Sequence, residues 1–251
     1  MKYFLIAGER SGDLHGANLI RAIKNHDDQA EFLGVGGDQM ADAGMAVKVH
    51  YADMAFMGLV EVVMNLRAIR RNLKNTRQLI ESASPDALIL IDYGGFNMKI
   101  AARLQKSGWT GKNYYYISPK VWAWRASRIK ALKAYVKRLF VIFPFEVEFF
   151  SNHDMKVEYH GNPLIDVIGN HEKQITDRRV FLAENRLDDR PIIALLAGSR
   201  QQEIKSCLPE MIKAAESFPA FQFVVAGAPS VDQQLYEKYM EDSRISVVQN
   251  Q

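Results

Sequence analysis

Cysteine is almost absent from the sequence, since Cys207 is the single cysteine among 251 residues. One thiol excludes an internal disulfide framework and any cysteine-rich metal site. The six histidines are scattered along the chain, and no Asp-x-Asp pair is present. None of these patterns indicates a metal site, and we expect a protein that uses no metal and no other cofactor.

Long hydrophobic runs are also missing. The longest one, Leu139 to Phe150, is interrupted by Pro144, Glu146 and Glu148, and it is shorter than the roughly 20 apolar residues of a membrane-spanning helix. The first residues show no charged segment followed by an apolar leader and a small-residue cleavage site. We therefore expect a cytoplasmic protein without a transmembrane helix.

A strong charge of one sign is absent too, because the formal net charge is only +3. Many of the basic residues are concentrated in two stretches, 67–77 and 120–138. Solvated helix faces are the simplest interpretation of both stretches. No zinc-finger spacing, helix-turn-helix pattern or aromatic RNA-binding pattern accompanies them, so no nucleic-acid partner is expected. Anionic lipid or a phosphorylated ligand fits the same charges.

The sequence does contain short β-branched and apolar runs that alternate with amphipathic helical stretches, which is typical of βαβ units around a parallel sheet. In the first block we predict strands at 2–7, 31–35, 87–91, 113–117, 138–143 and 156–160. The helices of that block are predicted at 15–26, 65–81, 97–107 and 124–134. A second block is predicted with strands at 192–196, 221–226 and 245–248 and helices at 201–217 and 231–241.

The fold class predicted from this alternation is α/β. Residues 1–168 are expected to form an N-terminal domain with a doubly wound parallel sheet. A polar stretch at 169–190 is interpreted as a linker. Residues 191–251 are expected to form the first part of a second Rossmann-like domain.

Ligands of open parallel sheets bind beyond the carboxyl ends of the strands, so the residues after each predicted strand are the first candidates for a site. In the loop Gly8–Gly16 glycines recur at every fourth position. Its backbone amides suit a phosphate or sugar oxygens, although the loop matches neither a P-loop nor a dinucleotide fingerprint. A structural turn with Ser11 or Asp13 as the helix cap is an equally good interpretation.

Another turn begins with Asp92, which follows the apolar run 87–91 and precedes Gly94 and Gly95. A carboxylate at the tip of a buried strand, beside glycines that leave room for a substrate, is well placed to act as a general base. The alternative is an aspartate that caps its own turn through a local hydrogen bond.

Tryptophan is concentrated in one segment. Residues 115–125 read Tyr-Tyr-Ile-Ser-Pro-Lys-Val-Trp-Ala-Trp-Arg and follow a predicted strand. Two indoles and an arginine around a Ser-Pro turn suit the wall of a ligand site better than a core.

The turn Gly198-Ser199-Arg200 opens a helix of the second block. Its amides, the positive end of the helix dipole and the guanidinium together suit a diphosphate. With an acceptor site on the first block, this turn indicates a nucleotide-sugar transferase whose leaving diphosphate is neutralised without a metal.

These motifs together resemble the lipid-A-disaccharide synthase family, inverting glycosyltransferases of the GT-B architecture with two Rossmann-like domains. The matching segments occur in the order of the family and cover nearly the whole chain to about residue 226. They are Ala7–Asp13, Gly34–Gly37, Met57–Val62, Ile91-Asp92 with Phe96-Asn97, Ser118–Arg125, Phe143–Glu146, and Gly198–Arg200 with Glu203.

The resemblance implies transfer of a diacylglucosamine unit from UDP-2,3-diacylglucosamine to the 6-hydroxyl of 2,3-diacylglucosamine 1-phosphate. The products would be a β-1,6-linked lipid A disaccharide 1-phosphate and UDP. The UDP-sugar is a substrate rather than a cofactor. The resemblance also implies a protein on the cytoplasmic side, peripherally associated with the inner membrane, and a homodimer is compatible with it.

The resemblance assigns roles to individual residues. Asp92 would be the catalytic base, and Glu9 would line the acceptor site or share the acid–base role. Ser199 and Arg200, with Glu203, would bind the donor diphosphate. The acceptor and cleft residues would be Ser11, Asp13, Asn97, Ser118, Trp122, Trp124 and Arg125.

An apolar segment followed by basic residues is expected to contact the membrane, because such a pairing docks on anionic lipid with its apolar side chains in the acyl region. The edge of a core helix or a dimer surface is the alternative interpretation. The membrane-contact residues would be Met57, Leu59, Val60, Val62, Val63, Leu66, Arg67, Arg70 and Arg71.

The chain departs from the family pattern at a few positions. Gly95, Ala197 and Asn162 stand where the family often has Asp, Pro and His. Members of the family usually continue well past Gln251, through the uracil pocket. A catalytically incomplete fragment that only binds acylated sugar phosphate at the membrane is therefore the alternative function. A UDP-sugar epimerase of GT-B type is disfavoured because it would not explain the apolar and basic segment.

Overall fold

The computed structural model describes residues 1–54, 66–124, 126–172, 176–228, 231–239 and 245–249. The chain divides into two compact units, Met1–Gly169 and Asn170–Gln251. Each unit is built around its own parallel sheet.

The first unit contains a seven-stranded sheet with the order β3-β2-β1-β4-β5-β6-β7. Every neighbouring pair in this sheet is parallel. Its strands are β1 (Lys2–Ala7), β2 (Glu31–Gly36), β3 (Ala46–His50), β4 (Ala87–Ile91), β5 (Lys112–Tyr116), β6 (Arg138–Val141) and β7 (Glu158–Tyr159).

Helices connect or follow the strands of the first unit, and the last of them extends past Gly169. In chain order, the described helices are α1 (Arg10–Lys24), α2 (Asp38–Asp42), α3 (Leu66–Ala83), α4 (Gly94–Lys106), α5 (Val121–Trp124), α6 (Ile129–Tyr135), α7 (Pro144–Ser151) and α8 (Leu164–Glu172). Short 3-10 helices lie at Tyr51–Met54 and Ala126–Arg128.

Both faces of the central strands are covered, because the side chains of a strand alternate between its two faces. On one face Leu88 and Leu90 of β4 belong to a core cluster that includes residues of α3, α4, α6 and α7. On the other face Ile89 and Ile91 pack in a cluster with Ala17 and other residues of α1 and α2. A strand buried on both sides explains why β4 is a continuous apolar run.

The strand order reverses between β1 and β4. The chain moves outward from β1 to β2 and β3, and then returns to the other side of β1 with β4. A doubly wound sheet opens a crevice at this switch point, beyond the carboxyl ends of the two strands. The sheet therefore identifies the turns after Ala7 and Ile91 as the place for a ligand.

The second unit contains a three-stranded parallel sheet with the order β10-β9-β8. Its elements are α9 (Arg178–Glu184), β8 (Ile192–Leu195), α10 (Gln201–Ala215), β9 (Gln222–Gly227), α11 (Gln234–Glu237) and β10 (Ile245–Gln249). Ile204 and Leu208 of α10 pack with Phe223, Val225 and the fully buried Tyr236 in one core. None of the described helices is long and apolar enough to cross a bilayer.

The structure differs from the predicted elements in several places. Helix α1 begins at Arg10 rather than near residue 15. Strand β3 and helices α2, α7, α8 and α9 have no predicted counterpart, and the stretch 169–190 interpreted as a linker contains α9 and the end of α8. Pro144 interrupts an apolar run in the sequence, but it is the first residue of α7, where its missing amide hydrogen costs nothing.

Candidate functional site

Glu9 and Asp92 both lie at the switch point of the first sheet. Ala7 and Ile91 are paired in the register of β1 and β4, so the chain leaves the two strands side by side. Glu9 follows as the N-cap of α1, with extended backbone angles. Asp92 follows β4 directly. The two carboxylates predicted to carry the chemistry are thus brought to one edge of one sheet.

The Tyr93 ring, in the turn after β4, packs against Gly8 in the turn after β1. A side-chain carbon placed on Gly8 would stand 2.1 Å from the Cδ1 atom of the Tyr93 ring. The Tyr93 ring therefore occupies the space that a side chain at position 8 would need. This close approach, rather than a phosphate cradle, is what requires a glycine at Gly8.

The surroundings of Asp92 favour its neutral form. Burial raises the pKa of the Asp92 carboxyl above its ordinary value, and the charge of Glu9 raises it further. Lys120 and a hydrogen bond from the Tyr93 amide act in the opposite direction on this pKa. A carboxylate whose pKa is raised by its neighbours is suited to accept a proton near neutral pH.

Asn97, predicted as a cleft residue, is fully buried. Its side-chain amide donates to the carbonyl oxygens of Ile91, at 3.2 Å, and Asp92, at 2.9 Å. The side chain therefore bonds the Asp92 turn from inside the protein.

Asp13 has a structural position as well. Its side chain is buried, and its carboxylate accepts hydrogen bonds from the amides of Gly37 at 2.7 Å, Gln39 at 3.1 Å and Met40 at 3.2 Å. These amides lie at the start of α2, where a carboxylate satisfies donors that have no partner within the helix. Asp13 thus connects the loop Gly8–Gly16 to the turn that precedes α2. Ser11, in the same loop, is exposed.

The Ser-Pro turn lies next to the Asp92 turn. A side-chain carbon on Gly94 would come within 2.7 Å of the Pro119 Cβ atom. Ser118 is buried, and its hydroxyl donates to the Pro119 carbonyl oxygen at 3.2 Å. Lys120 is exposed. The turn therefore brings a lysine charge toward Asp92.

Trp122 belongs to an aromatic cluster with Phe143 and Phe145 at the start of α7. Its ring meets that of Phe145 edge to face at 4.9 Å, and Phe145 stacks on Phe143 at 5.5 Å. The indole nitrogen of Trp122 is buried without a hydrogen-bond partner among the described residues. The side chain of Trp124 and the whole of Arg125 lie outside the described part of the chain.

Two cavities lie in the described part of the first unit, and the smaller one borders the Asp92 turn. One of about 220 Å³ is lined by Tyr93, Gly95, Phe96 and residues of α3. The other, of about 570 Å³, runs along β5 and β6, where Tyr116 lines it. Tyr116 also bonds the Asp92 turn through its backbone, since its carbonyl oxygen accepts from the Asp92 amide at 3.2 Å.

In the second unit, Glu203 organises the turn that precedes α10. Its carboxylate accepts from the amides of Ser199 at 3.0 Å and Arg200 at 3.2 Å, and from the Arg200 guanidinium at 2.8 Å. The hydrogen bond from the Arg200 side chain, followed by that from the Ser199 amide, lowers the pKa of Glu203. Gly198 has a φ of 104°, which glycine adopts without strain.

The predicted membrane-contact residues are described only in part. Met57, Leu59, Val60, Val62 and Val63 lie outside the described residues. Leu66, Arg67, Arg70 and Arg71 are exposed near the start of α3. The opposite face of α3 packs in the core through Leu73 and Ile80.

Sequence reasoning missed Tyr93 and Tyr115 as part of the site. The Tyr115 hydroxyl donates to the Asp92 carbonyl oxygen at 2.6 Å, and the ring is fully buried. One signal was available in the sequence, because a tyrosine in the middle of a buried strand needs a partner for its hydroxyl.

A comparison with protein families gives this site its context. The family model described as Lipid-A-disaccharide synthetase matches residues 3–249. The chain belongs to this family. The lipid-A-disaccharide synthase of Geobacter sulfurreducens is 40% identical over 235 residues, which are 92% of this chain and 60% of that protein. That of Trichlorobacter lovleyi is 35% identical over 250 residues, or 98% of this chain and 64% of the relative. The chain thus spans about three-fifths of the length of these relatives.

Solved structures show the same fold at low sequence identity. UDP-GlcNAc 2-epimerase from Neisseria meningitidis aligns with a TM-score of 0.68 at 15% identity, over 100% of this chain and 73% of the other. A putative UDP-N-acetylglucosamine 2-epimerase from Listeria monocytogenes gives a TM-score of 0.70 at 14% identity, over 100% and 69%. At such identities the likeness concerns the fold alone. The predicted fold class, α/β and GT-B-like, is confirmed.

Proposed function

We propose that this chain carries the acceptor site and the donor diphosphate turn of a glycosyltransferase that joins two acylated glucosamine units in lipid A assembly. The donor is UDP-2,3-diacylglucosamine and the acceptor is 2,3-diacylglucosamine 1-phosphate. The observation that carries the proposal is the pairing of Glu9 and Asp92 at the switch point of the first sheet. Membership of the family supplies the substrate class.

The reaction is a single displacement. The 6-hydroxyl oxygen of the acceptor attacks the anomeric carbon of the donor while Asp92 accepts the hydroxyl proton. The bond from the anomeric carbon to UDP breaks, and UDP leaves with the electron pair. Attack from the face opposite UDP inverts the configuration. The raised pKa of Asp92 suits this step, because a base works best when its pKa lies near the working pH.

The leaving diphosphate is stabilised by Arg200 and by the amides of Ser199 and Arg200, without a metal ion. Glu203 contributes to this site through Arg200 and the turn rather than by touching the diphosphate. Its carboxylate lies on those amides and on the guanidinium, and a second anion would repel a diphosphate. Glu203 therefore orients Arg200 and yields the amides to the diphosphate when the donor binds.

The acyl chains need apolar surface next to the carboxylate, and the cavity lined by Tyr93, Gly95 and Phe96 provides it. The exposed residues Leu66, Arg67, Arg70 and Arg71 at the start of α3 suit a surface of anionic lipid. We infer peripheral contact with the cytoplasmic face of the inner membrane.

The experiment mixes this chain with both substrates in detergent micelles and measures product and UDP, with and without a chelator. We expect equal amounts of disaccharide 1-phosphate and UDP, unchanged by the chelator. Vesicles with anionic lipid should support a higher rate than neutral vesicles. Acceptor binding without product would support the alternative, a module that binds acylated sugar phosphate without turnover. A folded chain that neither binds acceptor nor forms product would contradict both.

A further inference from the structure

The Asp92 turn has a backbone conformation that residues other than glycine rarely adopt. Asp92 has a φ of 39° and Tyr93 a φ of 47°, so two consecutive residues lie in the left-handed region. A tyrosine there is strained, because its Cβ crowds the backbone. Such strain persists only where the surrounding structure enforces it, and it is concentrated at functional sites.

Two buried side chains donate hydrogen bonds to the same backbone atom of this turn. The carbonyl oxygen of Asp92 accepts from the Tyr115 hydroxyl at 2.6 Å and from the Asn97 side-chain amide at 2.9 Å. A carbonyl oxygen has two lone pairs, and these two donors use both of them. Because Tyr115 and Asn97 are each fully buried, water does not compete for these bonds.

The backbone amide of Asp92 is hydrogen-bonded as well. The Asp92 amide donates to the Tyr116 carbonyl oxygen at 3.2 Å, which extends the pairing of β4 with β5. The Asn97 amide also bonds the Ile91 carbonyl oxygen at 3.2 Å. The backbone of Asp92 is therefore bonded at both its amide and its carbonyl group, and this fixes the point from which its side chain starts.

Asn97 is poorly explained as a residue kept for stability alone. Its Oδ1 atom is buried and has no hydrogen-bond partner among the described residues. An unpaired buried acceptor costs free energy and offsets what the two amide bonds contribute. Nor does Asn97 cap its own helix, since it donates backward to carbonyl groups at the end of β4.

We propose that Asn97 and Tyr115 are positioning residues that lock the left-handed Asp92 turn and thereby direct its carboxylate into the crevice between β1 and β4. The inference rests on the proposed role of Asp92 as the base. It predicts that loss of one donor leaves the fold intact but lets the carboxylate move. A displacement of about 1 Å can cost about 100-fold in rate.

The test uses Tyr115→Phe, with Tyr135→Phe as the matched control. The control removes a hydroxyl from a tyrosine that packs against the same core cluster as Tyr115, and within the described part of the chain Tyr135 makes no side-chain hydrogen bond to the Asp92 turn. We expect Tyr115→Phe to lower kcat about 10- to 100-fold with KM nearly unchanged. Asn97→Ala is the second variant and should act in the same way. Tyr135→Phe should behave as the parent chain.

A second readout needs no substrate. The Asp92 carboxyl carbon is labelled and titrated by NMR in the parent chain and the variants. We expect the pKa of Asp92 to fall toward its ordinary value in Tyr115→Phe and Asn97→Ala, because the released carboxylate reaches water. If both variants fold and keep the parent titration and kcat, the positioning role is refuted. If the Asp92 titration moves in the variants but the parent chain makes no product, the proposed function fails. The positioning of the Asp92 turn by Asn97 and Tyr115 is then still supported.

Discussion

Replacing Asp92 by asparagine should abolish most of the activity and stabilise the protein at the same time. Loss of a general base costs about 10²–10⁴-fold in rate. The amide is close in size to the carboxylate, so KM should change little. The expected result is a folded, more stable and nearly inactive chain.

The gain in stability follows from the direction of the pKa shift. The folded-state pKa of Asp92 is raised above the ordinary value of 3.8, so the folded protein binds the proton more tightly than the unfolded chain. The stability contributed by Asp92 therefore falls as pH rises from its unfolded to its folded pKa. Asparagine does not ionise. The variant should thus unfold at a higher temperature than the parent at neutral pH, and this difference should shrink below the ordinary pKa.

Melting temperature and kcat are measured across pH for the parent and Asp92→Asn. The matched control is Asp28→Asn, which removes the same charge from an exposed position and should leave kcat unchanged. An inactive variant with reduced stability would mean that Asp92 is a structural cap. An active variant would remove Asp92 from the mechanism.

Asp13→Ala should have the largest effect on stability. The substitution leaves the amides of Gly37, Gln39 and Met40 without their carboxylate. Hydrogen bonds to charged groups contribute about 1.5–3 kcal/mol each, so we expect the free energy of unfolding of the first unit to fall by about 3 kcal/mol or more. Asp13→Asn keeps one side-chain oxygen and should lose less.

Urea denaturation of Asp13→Ala and of Ser11→Ala decides between the two interpretations of the first glycine loop. Ser11 is exposed, so Ser11→Ala should stay within about 0.5 kcal/mol of the parent. If Asp13 contacted the acceptor instead, Asp13→Asn would raise KM and leave the free energy of unfolding unchanged.

The strands were predictable because their apolar runs are local signals. The continuous run of β4 identified a buried strand, and the residue after it identified Asp92. Strand β3 was missed because it is an edge strand of only five residues, none of which is buried. The start of α1 was missed because glycine and serine, which are weak helix formers, fill its first turn.

The contacts between residues of the site are harder to predict from the sequence. Asp13 bonds amides 24 to 27 residues away, and Tyr115 reaches Asp92 from the neighbouring strand, 23 residues away. No local pattern specifies such partners, since they depend on the order of strands in the sheet. The left-handed backbone of Tyr93 and the approach of its ring to Gly8 are likewise features that no local pattern indicates.

In the proposed reaction Asp92 is the base in the crevice between β1 and β4, next to the charge of Glu9. The most direct measurement is the pH dependence of kcat/KM alongside the NMR titration of Asp92, in the parent chain and in Glu9→Gln. We predict that the ascending limb of the rate coincides with the Asp92 titration. Both should move to lower pH in Glu9→Gln, because the charge that raises the pKa of Asp92 is removed. If the ascending limb does not coincide with the Asp92 titration, or stays in place when that titration moves, Asp92 is not the base.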